Sequence, residues 1–201
     1  MPGSRGFFYD ECNSGDRLTR EWLQSTPAAW RVDSVTPHRA YKYTTVGAIE
    51  YNTLMSQPDK HDFEAEMLFY ASNADAMVGL TLRKARNVAV AGDTGQICFW
   101  LTAGLITTEF TTSSGATPVL STAVYVVDTT KWHRMRTRVV GRNYKCKVWV
   151  EGTAEPDWMI SQNVRYTEMR NRGVIALRGG IRTAWFSGVK FIPIPVTGAG
   201  P

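Results

Sequence analysis

Alternating apolar and polar residues run through most of the chain. In residues 62–70, one side of an extended segment is apolar and begins at Phe63, whereas the other side carries Glu64 and Glu66. Equivalent patterns predict further strands at residues 76–83, 96–102, 119–127, 132–140, 143–151, 173–178 and 184–192. Gly, Asn, Asp, Ser and Pro residues separate these segments, and Gly141-Arg142 predicts a hairpin between two of them.

Helical signals are weak by comparison. One helix is predicted at residues 16–24, where Asp16 is a suitable N-cap and Leu18 and Trp22 are spaced four apart. Residues 44–56 fit either a pair of strands or an irregular connection. Many short strands separated by turns predict an all-β protein, an antiparallel β-sandwich or jelly roll.

The length of 201 residues suits a single hydrophobic core of this kind. We expect one sandwich domain over residues 1–192 and a Pro/Gly-rich tail over residues 193–201, which frays or docks on a neighbour. No apolar run reaches the length of a membrane span, and the first residues lack the apolar core of a signal peptide. Secretion by the ordinary route is therefore not expected.

The formal net charge is +5, and basic residues alternate at Arg134, Arg136 and Arg138. This spacing is typical of one solvated strand face, and no recognisable nucleic-acid-binding module accompanies it. A second interpretation is that such residues attract an anionic envelope polymer in a salt-sensitive way. The three cysteines contain no CxxC pair, so a zinc site is not predicted.

Candidate catalytic groups are few. Glu64 and Glu66 share a strand face, as the two acids of a glycoside hydrolase would, but the remaining acids of such a site are missing. We therefore expect both carboxylates to lie on an exposed face, and His133 to be a surface residue. The Asn73/Asp75 and Asp93/Thr94 turns hold too few oxygens for calcium. No catalytic residue, metal or cofactor is predicted.

Tryptophans offer two interpretations, packing or recognition. Trp132, Trp149 and Trp185 stand in strands and are expected to fill the core between the sheets. Trp158 follows Pro156 in a loop, where an exposed ring can stack on a sugar. The candidate ligand-binding set is Trp158, Asn163, Arg165 and Tyr166.

The order of several segments resembles the concanavalin A-like, or laminin G-like, jelly-roll family. The matching segments are DFE at residues 62–64, GLTLR at 79–83, KWHRMR at 131–136 and GVIAL at 173–177. KVWVEGTAEPDW, at residues 147–158, is similar to such domains in minor tail proteins of phages that infect actinobacteria.

This resemblance implies a non-catalytic virion protein, a minor tail protein at the tail tip that adheres to a host-surface glycan. Its implied partners are other virion proteins and copies of itself, without nucleic acid or membrane insertion. The implied location is the virion, assembled in the host cytoplasm. A purely structural tail or capsid decoration subunit is the alternative, and a cell-wall glycoside hydrolase ranks third.

Overall fold

The computed structural model describes residues 8–10, 22–24, 30–35, 38–44, 49–54, 61–84, 95–167 and 173–194. These ranges form fifteen strands, numbered in chain order: β1 (Phe8–Asp10), β2 (Trp22–Gln24), β3 (Trp30–Val35), β4 (His38–Tyr43), β5 (Ile49–Leu54), β6 (Phe63–Ala71), β7 (Met77–Lys84), β8 (Ile97–Thr102), β9 (Leu105–Phe110), β10 (Val119–Val124), β11 (His133–Val140), β12 (Asn143–Val150), β13 (Ile160–Asn163), β14 (Val174–Gly180) and β15 (Ala184–Pro193). Within the same ranges, no helix is long and apolar enough to cross a membrane.

The strands form two antiparallel sheets. Sheet A has eight strands in the order β13-β12-β11-β6-β15-β4-β3, and β1 also pairs with β15. Sheet B has seven strands in the order β10-β9-β8-β7-β14-β5-β2. This architecture confirms the prediction of an all-β antiparallel jelly-roll sandwich.

All eight segments predicted as strands contain one, and the hairpin at Gly141-Arg142 joins β11 to β12 with Val140 opposite Asn143. The helix prediction is wrong over residues 22–24, which form β2 against β5; residues 16–21 lie outside the described ranges. Of residues 44–56, those from Ile49 to Leu54 form strand β5, and residues 45–48 and 55–56 lie outside the described ranges. Strand β15 runs through Pro193, and residues 195–201 of the predicted tail are not among those described.

The core lies between the sheets. The inward side of β6, from Phe63 to Phe69, is fully buried, as are Leu80 and Phe99 of sheet B. Sheet B leaves no room for a side chain at one point, because a Cβ on Gly79 would lie 2.2 Å from the Phe99 carbonyl oxygen. Glycine is therefore required at position 79, where β7 lies against the backbone of β8.

The expectation that three tryptophans fill this core is wrong. Trp149 pairs with Arg134 and Trp185 pairs with Tyr70, both on the outer face of sheet A. Trp132 also packs there, with its ring centroid 5.8 Å from that of Tyr70. The inward positions of β12 and β15 are filled by smaller apolar side chains instead, so the tryptophans cover the outside of the sheet.

His133 is also not the surface residue that was expected, since it is fully buried. Its Nδ1 atom lies 2.6 Å from the Tyr125 hydroxyl oxygen, and its Nε2 atom lies 2.9 Å from the Asp128 carbonyl oxygen. Its ring stacks on Phe69 at 5.2 Å. Burial lowers the pKa of His133, although the Asp128 carbonyl and carboxylate oppose that effect. The neutral imidazole therefore bridges β11 to the segment before it.

Candidate functional site

A buried carboxylate organises the outer face of sheet A. Glu66 is only 2% exposed, so the expectation that it is solvated is wrong. Its carboxylate accepts hydrogen bonds from Arg134 Nη1 at 2.7 Å, from Arg136 Nε at 2.8 Å and from Lys190 Nζ at 3.3 Å. Burial alone would raise the pKa of Glu66, but the hydrogen bond and charge of Arg136, aided by Lys190 and Arg134, lower it. The carboxylate is therefore held in its ionised form.

A β-bulge brings Lys190 into this group. Along β15, Ser187 lies opposite Leu68 but Lys190, three residues later, lies opposite Glu66, two residues earlier on β6. β15 therefore has one more residue than β6 over this stretch, and Gly188, which lies in it, has a positive φ of 53°. Without the bulge, strict alternation would direct Lys190 inward, because successive strand residues face opposite sides of a sheet.

The three alternating arginines of β11 are paired rather than freely solvated. Arg134 binds Glu151 at 3.0 Å as well as Glu66, and Arg138 lies 3.4 Å from Glu64. Their side chains are 27% and 39% exposed, respectively. The basic face predicted from the sequence is thus a network of alternating charges across β11, β6 and the loop after β12.

That loop, residues 151–159, is bound down onto sheet A. Glu155 pairs with Arg136 at 2.6 Å and also with Lys147, whose Nζ donates a hydrogen bond to the Pro156 carbonyl at 3.2 Å. The same Nζ lies 4.4 Å from the ring centroid of Trp158. The Glu-Pro-Asp-Trp segment is therefore an ordered wall beside β12, with Trp158 half-buried in it.

An open groove of about 600 Å³ lies on the outer face of sheet A, next to this wall. It is lined by Arg138, Val140, Asn143, Lys145, Ser161, Gln162 and Asn163. Strand register explains the arrangement: Arg138, Lys145 and Ser161 form one row across β11, β12 and β13, and Val140, Asn143 and Asn163 form the next. Six of the seven lining residues carry hydrogen-bonding side chains.

The structure separates the four residues proposed from the sequence. Asn163 lines the groove and donates a hydrogen bond to Asn143 Oδ1 at 3.1 Å. Trp158 is not among the lining residues, but its ring centroid lies 5.9 Å from Nζ of Lys145, which is. Arg165 is exposed beyond the end of β13. The ring of Tyr166 instead stacks on Phe110 at 4.9 Å and packs against the core. Of these four residues, Asn163 is in the lining of the groove, and ligand binding by the set of four stays a prediction.

The other lining residues were not predicted from the sequence: Arg138, Val140, Asn143, Lys145, Ser161 and Gln162. A signal for two of them was present, since a two-residue hairpin at Gly141-Arg142 fixes Arg138 opposite Lys145. The residues of β13 had no such signal, because the four-residue strand shows little alternation.

The Asn73/Asp75 turn, which was considered for calcium, uses oxygen atoms in hydrogen bonds within the chain. The Asp75 amide donates to Asn73 Oδ1 at 2.9 Å, and Thr102 Oγ1 donates to the Asp75 carbonyl at 2.9 Å. Asp93 and Thr94 lie outside the described ranges. Among the residues that are described, no group of three or more His, Cys, Asp or Glu side chains could hold a metal ion.

Comparisons with known proteins identify the fold. No family model and no curated protein matches the sequence. Solved structures do match: the carbohydrate binding module CBM66 from Bacillus subtilis has a TM-score of 0.62 at 14% identity, covering 84% of this chain and 93% of that one.

A family 16 glycoside hydrolase, an endo-glucanase from Bacteroides ovatus, has a TM-score of 0.65 at 10% identity and covers 92% of this chain and 99% of its own. A Bacillus subtilis protein of unknown function with a galectin-like fold has a TM-score of 0.62 at 8% identity, covering 86% and 89%. The chain therefore has a concanavalin A-like or galectin-like β-sandwich fold.

Proposed function

We propose that the protein is a non-catalytic carbohydrate-binding domain whose ligand occupies the groove on the outer face of sheet A. The lining of the groove carries the proposal: amide, hydroxyl and cationic groups from three adjacent strands converge there. Sugar hydroxyls both donate and accept hydrogen bonds, as amide and hydroxyl side chains do. The fold shared with a carbohydrate binding module supports the same interpretation.

The ion pairs of Glu64 and Glu66 argue against a glycoside hydrolase function. A glycosidase needs one carboxyl group that is protonated near neutral pH and a second acid about 5–10 Å away. Arg136, Lys190 and Arg134 lower the pKa of Glu66, the opposite of what a general acid requires. Glu64, its neighbour on the same face, lies 3.4 Å from Arg138. We therefore propose binding without catalysis.

The setting that we propose is a phage virion, with the domain on a minor tail protein at the tail tip. The resemblance of residues 147–158 to phage tail proteins supports this setting, and in the structure the last four of those residues form the ordered wall beside β12. Several copies on one particle would bind a repeating host glycan more tightly than one copy, because each further contact is intramolecular. Gold-labelled antibody against the purified chain would label the tail tip; labelling elsewhere would contradict this setting.

A structural subunit is the second candidate, and the edge of sheet B favours it. Strand β10 ends the sheet, and Val119, Val124 and Val126 in and beside it are 57%, 71% and 78% exposed. An open strand edge with apolar side chains is suited to packing against a neighbouring protein. In that role the domain would need no glycan.

Binding to immobilised bacterial envelope polysaccharides distinguishes the two candidates. We expect the purified full chain to bind at least one polysaccharide, and Trp158→Ala and Asn163→Ala to weaken that binding about tenfold through lost contacts. Trp185→Ala is the matched control, since Trp185 lies on the same face but packs against Tyr70 away from the groove. Absence of binding by folded protein would contradict the proposed function and favour the structural subunit.

A further inference from the structure

The groove differs from the rest of the outer face in how its cations are paired. Arg134, Arg136 and Lys190 contact Glu66, and Lys147 contacts Glu155. Lys145 has no carboxylate within ion-pair distance in the described part of the chain, although it lines the groove. Positive charge is thus compensated around Glu66 but left available at the end of the sheet where the groove opens.

Arg138 adds a second accessible cation. Its contact with Glu64 joins one guanidinium nitrogen at 3.4 Å, and the side chain is 39% exposed. A guanidinium carries five N–H donors, so most remain for a ligand. Arg138 and Lys145 are direct cross-strand partners on strands about 4.8 Å apart, which lets both cations reach one anionic group. None of the seven lining residues is acidic.

Neutral groups complete the arrangement. The hydrogen bond from Asn163 to Asn143 uses one donor of Asn163 and the Asn143 oxygen. The Asn143 amide N–H₂ and the Asn163 oxygen therefore remain for a ligand, beside the Ser161 hydroxyl. A ligand that matches this lining carries one anionic group near Arg138 and Lys145 and hydroxyls along the Asn143–Asn163 row.

We propose that the groove selects an anionic sugar, with Arg138 and Lys145 as the residues that recognise its charge. This inference rests on the proposed glycan-binding function and adds the class of ligand. A sugar carboxylate, sulfate or phosphate presents the same chemistry to these two cations. Hydrogen bonds between these cations and an anionic group have charge on both partners, which makes them stronger than the bonds that the same cations make to a neutral hydroxyl.

Matched polymers test the inference in the full-length chain. Calorimetry would compare polygalacturonate with its carboxyl-reduced form, dextran sulfate with dextran, and a poly(glycerol phosphate) with glycerol oligomers. We expect at least one anionic polymer to bind at least ten times more tightly than its neutral partner. A tenfold difference in Kd corresponds to about 1.4 kcal/mol of binding free energy. Whichever pair shows the difference identifies the anionic group.

Variants then locate the effect. Lys145→Gln and Arg138→Gln should each abolish most of the preference for the charged polymer, whereas Arg138→Lys should retain part of it. Lys131→Gln is the charge-matched control, because Lys131 is 58% exposed, pairs with Asp128 and precedes the first residue of β11, whereas Arg138 lies near the other end of that strand. Thermal unfolding of each variant would verify that it folds.

Three results would overturn the inference. Equal affinity for charged and neutral polymers would contradict charge selection while leaving glycan binding intact. Equal weakening by Lys145→Gln, Arg138→Gln and Lys131→Gln would show attraction by overall charge rather than by the groove. Failure to bind any polymer, charged or neutral, would contradict the proposed function itself.

Discussion

Replacing Glu66 by glutamine tests whether its carboxylate holds the outer face of sheet A together. Glutamine keeps the shape of the side chain and one oxygen, but it places an N–H₂ group against cations that now face a carboxylate oxygen. The bonds at stake come from Arg134, Arg136 and Lys190, on the two strands that flank β6. The substitution therefore affects three adjacent strands together.

The magnitude follows from the burial of the carboxylate. Glu66 is 3% exposed at its side chain, whereas its partners are 27–31% exposed. Removing one member of a buried ion pair costs about 3–5 kcal/mol. Arg134 and Arg136 keep Glu151 and Glu155 as partners, which reduces the loss. We expect Glu66→Gln to lower the free energy of unfolding by about 3 kcal/mol.

Urea and thermal unfolding at pH 7 would measure this change. For a chain of 201 residues, about 3 kcal/mol corresponds to a fall in Tm of roughly 6–12 °C. Glu64→Gln is the matched control, because its pair with Arg138 is 3.4 Å long and partly exposed, which predicts a loss below about 1 kcal/mol. A Glu66→Gln protein as stable as the Glu64→Gln protein would refute the reasoning.

Lowering the pH tests independently how much the Glu66 carboxylate stabilises the folded protein. Its folded-state pKa lies below its ordinary value of 4.5, so the unfolded chain binds the proton more readily. The stabilisation is therefore complete above about pH 4.5 and disappears as pH falls through the folded-state pKa. We expect wild type and Glu66→Gln to converge in stability on acidification; a constant difference between pH 7 and pH 2 would contradict this.

Four further predictions concern the core. Stability should fall as pH decreases below about 6.5, because burial lowers the pKa of His133 and the unfolded chain takes up the proton first; urea midpoints from pH 8 to pH 5 would show it. Tyr125→Phe should cost about 1–2 kcal/mol in urea unfolding, since it removes the 2.6 Å bond to His133. Gly79→Ala should cost about 3 kcal/mol in thermal unfolding, because its Cβ would lie 2.2 Å from the Phe99 carbonyl oxygen. Burial raises the pKa of the Cys146 thiol, so mass-spectrometric mapping should find it unlabelled by iodoacetamide until the protein unfolds.

Controls sharpen these expectations. Tyr125→Phe should leave the thiol of Cys146 protected. Gly115→Ala should cost about 1–2 kcal/mol, less than Gly79→Ala, because a Cβ on Gly115 meets no atom within 4 Å and the cost comes from its positive φ of 80° alone. A His133→Gln protein that retains the stability loss below pH 6.5 would contradict the assignment to His133. Native labelling of Cys146 would show that the sandwich opens there.

Strand positions were predictable because alternation is a local property. Strand β11 alternates without a break between buried and half-buried residues, and its hairpin partner could be registered from Gly141-Arg142 alone. Strand β9 was missed because it carries Thr107 and Thr108 in sequence, which obscures the two sides. Its pairing with β8 and β10 defines it in the fold.

Which face of a strand lies against the other sheet was harder to predict than where the strand runs in the sequence. Alternation separates two sides of a strand but does not say which side meets the other sheet, so Trp149 was placed inside although it lies on the outer face. Glu66 does lie on the outer face, as predicted, but the arginine and lysine side chains around it bury it there. The bulge at Gly188 changes which residues of β15 face inward and which face outward. Only the pairing of β15 with β6 reveals this change. The groove depends instead on the pairing of three consecutive strands, β11, β12 and β13, and the short strand β13 gave no sequence signal for its register against β12.

The position of β6 has a consequence for how the chain folds during synthesis. This strand pairs with β11 and with β15, which begins about 110 residues after β6 ends. At typical translation speeds, those residues take on the order of 10 s to appear. Throughout that interval one edge of β6, whose inward side is fully buried in the folded protein, has no partner, and unpaired strand edges make nascent chains prone to aggregation. The final sandwich can close only after synthesis of the last strand, so truncation before Ala184 should yield insoluble protein rather than a smaller domain.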